Sequence, residues 1–205
     1  MASGRPTVGL VGCVHAGEVI GHGPPSYRGG MRPGIVMLVG LPGAGKTTLA
    51  AALSHRIPDA RVLNKDSVRA TLFDPCDYSA VERTIAFSAM LDAARYHLGR
   101  GRVVVIDGLA FPRQGEEEAV EAVVADTGAF VANIVCDVPI EVAVARADAD
   151  AVAGTHRAAN RDGAAVRRVA AEMQEPSGAY LTVDTTRPID EAAELALEYI
   201  EEMAQ

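Results

Sequence analysis

The sequence predicts an α/β domain built on a parallel sheet that is covered on both faces. Two observations carry this. Short β-branched runs alternate with longer helical stretches from residue 35 to the end. Each run is apolar without a polar face, as strands buried on both sides are. The length of 205 residues, without an internal repeat, suits one domain with a short appendage.

The elements follow in order. Ile35–Val39 is apolar, β-branched and closed by Gly40, which predicts a buried strand. Thr47–Arg56 is a helix stopped by Pro58, and Arg61–Leu63 a second strand. Ser79–Leu98 is a long helix with Ser79 as N-cap and Gly99 beyond its end. Val103–Ile106 is a third strand of four β-branched residues. Gln114–Ala125 is helical, with Glu116, Glu117 and Glu118 near its start, where the helix dipole favours acids. Phe130–Val135 is a strand, and Pro139–Ala149 is a helix opened by proline. Gly163–Gln174 is a helix ended before Pro176, Tyr180–Val183 the last strand and Pro188–Met203 the last helix.

Residues 1–34 differ. They hold 9 of the 20 glycines and 4 of the 11 prolines without sustained periodicity. They read as a flexible extension over residues 1–30, or as sequence upstream of a start at Met31, with the domain over 31–205.

Composition narrows the class. Apolar residues are 49% and charged residues 22%, the balance of a globular protein. Aromatics are 4% and tryptophan is absent, so Ala, Val, Leu and Ile must build the core. Nineteen basic against 27 acidic residues give a net charge of −8, which excludes a generally basic surface for coating nucleic acid. Only Lys46 and Lys65 among the basic residues are lysines. Cys13, Cys76 and Cys136 are odd in number, far apart and without a CxxC pair, which argues for a reducing, cytoplasmic compartment and against zinc. No apolar run approaches the roughly 18–20 residues of a membrane span.

The chemistry starts after the first strand. Gly40-Leu41-Pro42-Gly43-Ala44-Gly45-Lys46-Thr47-Thr48 fits G-x-x-x-x-G-K-[ST] between a strand and a helix. Glycines let the backbone fold into a nest of N–H groups, and the following helix adds its positive end. Lys46 reaches the outer phosphates and the Thr47 hydroxyl suits Mg²⁺. A chain of this composition offers roughly 0.002 chance matches, so nucleotide phosphate binding by residues 40–48 is expected. Asn64-Lys65-Asp66-Ser67 superficially resembles the guanine-reading N-K-x-D loop. Its fourth residue is serine and it comes too early in the chain, which excludes a GTPase.

Loops after strand ends line the ligand crevice of an open α/β sheet, so Asp66 is expected to face the γ-phosphate and accept the proton of an attacking hydroxyl. Arg69 lies one turn on if a helix begins at Asp66, placed to bind an anionic acceptor. The bland alternative makes Asp66 an N-cap and Arg69 a surface residue. Val103-Val104-Val105-Ile106-Asp107 ends in an acid that suits Mg²⁺, with Arg113 a short loop beyond, placed either to face the acceptor or simply to cap a helix. Arg146, Arg157 and Arg161 surround Ala147–Gly163, a stretch poor in large apolar residues, expected as a flap that carries Arg onto the moving phosphoryl group.

Together GLPGAGKTT, NKDSVR, VIDGLAFPR and RAANRDG resemble the small P-loop kinases related to 5′-hydroxyl polynucleotide kinases and zeta toxins, which are ATP-binding AAA-type kinase domains. The resemblance implies a three-layer P-loop kinase fold, a five-stranded parallel sheet of order 2-3-1-4-5 and an Arg-bearing lid. It implies ATP as donor with Mg²⁺, held by Thr47 and Asp107. By position Asp66 aligns with the general base, Arg69 with the acceptor-binding arginine, and Arg157 and Arg161 with lid arginines. Gly108 and Leu109 depart from the pattern, which often has polar residues after the acid.

The expected activity is ATP-dependent transfer of the γ-phosphate to a hydroxyl of a small molecule, such as a nucleoside, sugar or antibiotic. A polynucleotide 5′-end is the second acceptor, disfavoured by acidic charge and few aromatics. A zeta-toxin-like sugar-nucleotide kinase and a non-catalytic ATP-binding module are the remaining alternatives.

Overall fold

The computed structural model describes residues 31–110, 114–153 and 162–205. The 1–30 extension, Arg113 and the lid arginines Arg157 and Arg161 lie outside the described residues. Five strands are β1 (Gly34–Val39), β2 (Arg61–Asn64), β3 (Val103–Leu109), β4 (Phe130–Asp137) and β5 (Tyr180–Asp184). The helices between and after them are α1 (Lys46–Arg56), α2 (Lys65–Leu72), α3 (Ala80–Leu98), α4 (Gln114–Thr127), α5 (Ile140–Ala153), α6 (Gly163–Glu172) and α7 (Ile189–Met203). All strand pairs are parallel and the order is β2-β3-β1-β4-β5, as the resemblance implies.

Strand β1 explains why the sheet needs cover on both sides. Successive side chains point to opposite faces, and all six residues of β1 are buried. Val36 and Leu38 enter one core with Leu49 and Leu53 of α1, Ala143 of α5 and Ile200 of α7. Ile35 and Met37 enter the other with Met90 and Leu98 of α3 and Val123 of α4. The result is three layers, with helices on each face of the sheet. Helix faces in the first core are largely alanine (Ala50, Ala143, Ala147, Ala193, Ala196), which is how a chain with few aromatics fills its interior.

Two elements depart from the sequence reading. Residues 65–72 form helix α2 outright, because the Asn64 side chain accepts the Ser67 N–H and caps it. The alternative of Asp66 as N-cap is thereby corrected: Asn64 is the cap, and Asp66 sits inside the first turn. Helix α5 continues to Ala153 instead of ending at Ala149, so the first part of the expected flap is helical. Alanines at 147, 149, 151 and 153 carry the helix onward, alanine being the best helix former. No helix among the described residues is long and apolar enough to cross a membrane.

Gly34 pairs in register with Phe130 of β4, and a Cβ built on it would overlap the Phe130 ring. Gly34→Ala is expected to destabilise the fold by about 1–3 kcal/mol through overpacking, read by urea unfolding. Adding Phe130→Leu, which removes the opposing ring, should recover part of that loss.

Candidate active site

The site forms where strands end. β1 pairs with β3 on one side and β4 on the other, so the chain leaves β1 at the point where the strand order reverses. Open α/β sheets hold their ligand crevice there. A cleft of about 560 Å³ opens at this place. The turn after β1 lines it with Pro42, Gly43, Gly45, Lys46, Thr47 and Thr48. Asn64, Asp66, Asp107 and Gly108, from the ends of β2 and β3, line the facing wall.

The turn is shaped for an anion. Gly43 has φ +80°, and a Cβ there would collide with the carbonyl of Ala143 on α5. Only glycine satisfies both conditions. Helix α1 starts at Gly45, which offers no side-chain cap, whereas α2, α3 and α6 are capped by Asn64, Ser79 and Asp162. The first N–H groups of a helix have no partner within it, and a phosphate suits them. The Lys46 ammonium, largely buried, donates to the carbonyls of Gly40 and Leu41 at 2.7 Å each.

Not every residue of the motif faces the cleft. Gly40 donates its N–H to Ala110 O at 2.9 Å, and Ala44 donates its N–H to Leu41 O at 3.0 Å. Ala44 is buried, and neither residue is among those lining the cleft. In this conformation these two hold the shape of the turn, while Gly43, Gly45, Lys46, Thr47 and Thr48 present themselves to a ligand.

Asp107 closes the corner between donor and acceptor walls. It is 1% exposed. Its Oδ2 accepts from Thr47 Oγ1 at 2.8 Å and from Asn64 Nδ2 at 2.6 Å. Its Oδ1 is buried with no hydrogen-bond partner among the described residues. A buried carboxylate oxygen left orphaned beside a threonine hydroxyl and a phosphate turn is the donor set of a hard divalent cation. The residues therefore fit Mg²⁺, with Thr47 and Asp107 as those that would hold it. Gly108, whose φ is +92°, explains the departure from the motif: a Cβ there would press on Lys65 Cβ at 3.2 Å.

On the acceptor wall Asp66 is buried but reaches the cleft. Arg69 lies one helical turn away, its Nη1 3.5 Å from Asp66 Oδ1. Arg69 is 6% exposed rather than a surface residue, and its Nε has no hydrogen-bond partner among the described residues. The Arg69 guanidinium also lies over the Tyr78 ring, 5.6 Å from its centroid. Arg69 does not line the cleft itself; it stands behind Asp66.

Sequence reasoning left out several residues that the fold brings in. Thr185 and Arg187, after β5, line the far end of the cleft. Nothing local marks them, since β5 reaches the site only by pairing with β4. Arg146 was placed near the flap; it lies on α5, lines the cleft, and donates to Thr185 O at 3.1 Å.

Sequence comparison agrees with this geometry. The AAA_33 family, described as an AAA domain, matches residues 35–176. An adenylyl-sulfate kinase of Shewanella pealeana is 31% identical over 162 residues, covering 77% of this chain and 76% of the relative. Among solved structures, the Mycobacterium tuberculosis APS kinase CysC in complex with AMPPNP and APS has a TM-score of 0.64 at 23% identity, covering 83% of this chain and 99% of that one. A putative kinase from Chloroflexus aurantiacus has a TM-score of 0.67 at 22% identity, over 82% and 98% of the two chains. At such identities the structural likeness speaks for the fold. The chain belongs to the AAA_33 family of P-loop kinase domains and is an ATP-dependent phosphotransferase acting on a small molecule.

Two outcomes test the site. Gly43→Ala is expected to weaken ATP binding at least tenfold in a fluorescent-nucleotide titration, because the new methyl must displace either the turn or α5. Cys136, behind the turn, is 2% exposed, and burial pushes its thiol up to about 12; the Lys46 ammonium opposes that rise and Asp107 adds to it. Native protein at pH 8 should leave Cys136 unalkylated by iodoacetamide, and urea should expose it, as read by peptide mass spectrometry.

Proposed function

We propose that the chain transfers the γ-phosphate of ATP to a hydroxyl of an anionic small molecule, with Asp66 as general base. The observation that carries this reading is the position of Asp66. It lines the same cleft as Lys46 and Thr47, on the wall it shares with Asp107, in the first turn of the helix that follows β2. A nucleotide-binding switch needs no carboxylate on that wall.

The chemistry follows from the groups at hand. An acceptor hydroxyl enters the cleft beside Asp66, which accepts its proton as the new oxygen–phosphorus bond forms. The bond between the γ-phosphorus and the bridging oxygen breaks, and ADP leaves. Lys46 and the N–H groups at the start of α1 stabilise charge on the outer phosphates. Thr47 and Asp107 would hold Mg²⁺, which would supply further neutralisation of phosphate charge. Arg69 supports Asp66 from behind, and the arginines that line the cleft, Arg146 and Arg187, are the described cations an anionic acceptor would meet. Lid arginines Arg157 and Arg161, and Arg113, are proposed to complete the enclosure.

Adenylyl sulfate is the first acceptor to test, because it is the substrate in the relatives' names and carries the anionic groups that Arg146 and Arg187 suit. Nucleosides, sugars and antibiotics follow, then a 5′-hydroxyl oligonucleotide. A net charge of −8 weighs against the last, because long nucleic acid requires a basic track.

The experiment is ATP consumption across this panel, with mass detection of a product heavier by one phosphate. Asp66→Asn keeps the shape and removes the base. It should lower transfer by about 10²–10⁴ while leaving ATP affinity within a few-fold. Unchanged turnover in that variant would overturn the assignment of Asp66.

A further inference from the structure

We infer that Asn64 is a positioning residue that locks the metal-side carboxylate to the helix carrying the base. It rests on the function proposed above. It concerns one amide that joins both walls of the cleft.

The geometry begins with strand pairing. Asn64 of β2 and Asp107 of β3 are direct partners in the parallel register, so their side chains emerge together on one face. Asn64 Nδ2 donates to Asp107 Oδ2 at 2.6 Å. Its Oδ1 accepts from the Ser67 N–H and from Ser67 Oγ, both at 2.9 Å. The amide cannot be turned over. A backbone N–H only donates, so the oxygen must face Ser67 and the NH₂ must face Asp107.

One side chain thus performs two tasks. Its oxygen caps α2 and fixes the turn that carries Asp66. Its nitrogen binds the same Asp107 oxygen that Thr47 binds, which leaves Oδ1 as the unpartnered atom of that carboxylate. The continuous path runs Thr47–Asp107–Asn64–Ser67, from the first turn of the phosphate helix to the first turn of the acceptor helix. Asp107 presents a defined oxygen only while its other oxygen is held from both sides. Asn64 lines the cleft but has no proton to exchange in the transfer, so its part is orientation.

The two tasks separate by substitution. Serine is a good N-cap, so Asn64→Ser keeps the cap on α2. It cannot donate to Asp107 as the amide does, because its hydroxyl is too short. The variant should melt within a few degrees of wild type. Asn64→Ser should need at least fivefold more Mg²⁺ to bring fluorescent ATP binding to half-saturation, with metal-free nucleotide affinity unchanged. Its kcat should fall about tenfold or more, with KM for the acceptor nearly constant. Asn64→Gln, which retains the donor on a longer arm, should recover part of the Mg²⁺ response.

The binding readout needs no acceptor, so the two proposals fail separately. Wild-type protein that phosphorylates nothing, with the Mg²⁺ shift present in Asn64→Ser, sinks the proposed function alone. Transfer by wild type with an unshifted Mg²⁺ response in Asn64→Ser overturns the role of Asn64. A fall in kcat matched by a fall in melting temperature also overturns it, because Asn64 would then be a cap and nothing more.

Discussion

Parallel strand register is the constraint on which the site depends. β2, β3 and β1 end side by side, and each delivers a different piece of chemistry at its tip. β1 gives the glycine turn and Lys46, β3 gives Asp107, and β2 gives Asn64 and then Asp66. A slip of one residue between β2 and β3 would turn Asn64 to the opposite face and break its contact with Asp107. Leu63, which packs from β2 against the core that contains Ile106, opposes that slip, because it would turn to the other face.

The charged residues at this corner are expensive to bury without partners. Lys46, Lys65, Asp66, Arg69 and Asp107 are all buried in a chain that keeps only two lysines. Lys46 donates to loop carbonyls, Asp66 meets Arg69, and Asp107 accepts from Thr47 and Asn64. Among the described residues of this corner, Asp107 Oδ1 and Arg69 Nε have no hydrogen-bond partner. Buried polar atoms are rarely orphaned in folded proteins, and where they are, function is a common reason. Asp107 Oδ1 lies on the carboxylate that Thr47 holds, where a cation would complete the arrangement.

Much of this was legible in the chain. Periodicity found eleven of the twelve elements to within a few residues, because buried strands and helix caps leave strong local marks. The exception, α2, was read only as a condition on Asp66. Its eight residues contain three charges and a serine, and its cap is an asparagine shared with the site. The glycine turn was legible because its geometry demands glycine at fixed spacing. Thr185 and Arg187 were not, because no local pattern records that β5 sits beside β4.

Sequence alone determined the kind of fold and the glycine turn with its lysine, since these leave marks in periodicity and in spacing within a few residues; it singled out Asp66 only as one of two readings. Tertiary structure decided which residues meet. Asn64 and Asp107 are 43 positions apart and touch only because their strands pair in register. Arg69 could be a surface arginine on spacing alone; packing of α2 against α3 and the sheet buries it beside Asp66. Contacts between distant segments depend on register and packing, which are properties of the whole chain, and no short stretch of residues encodes them.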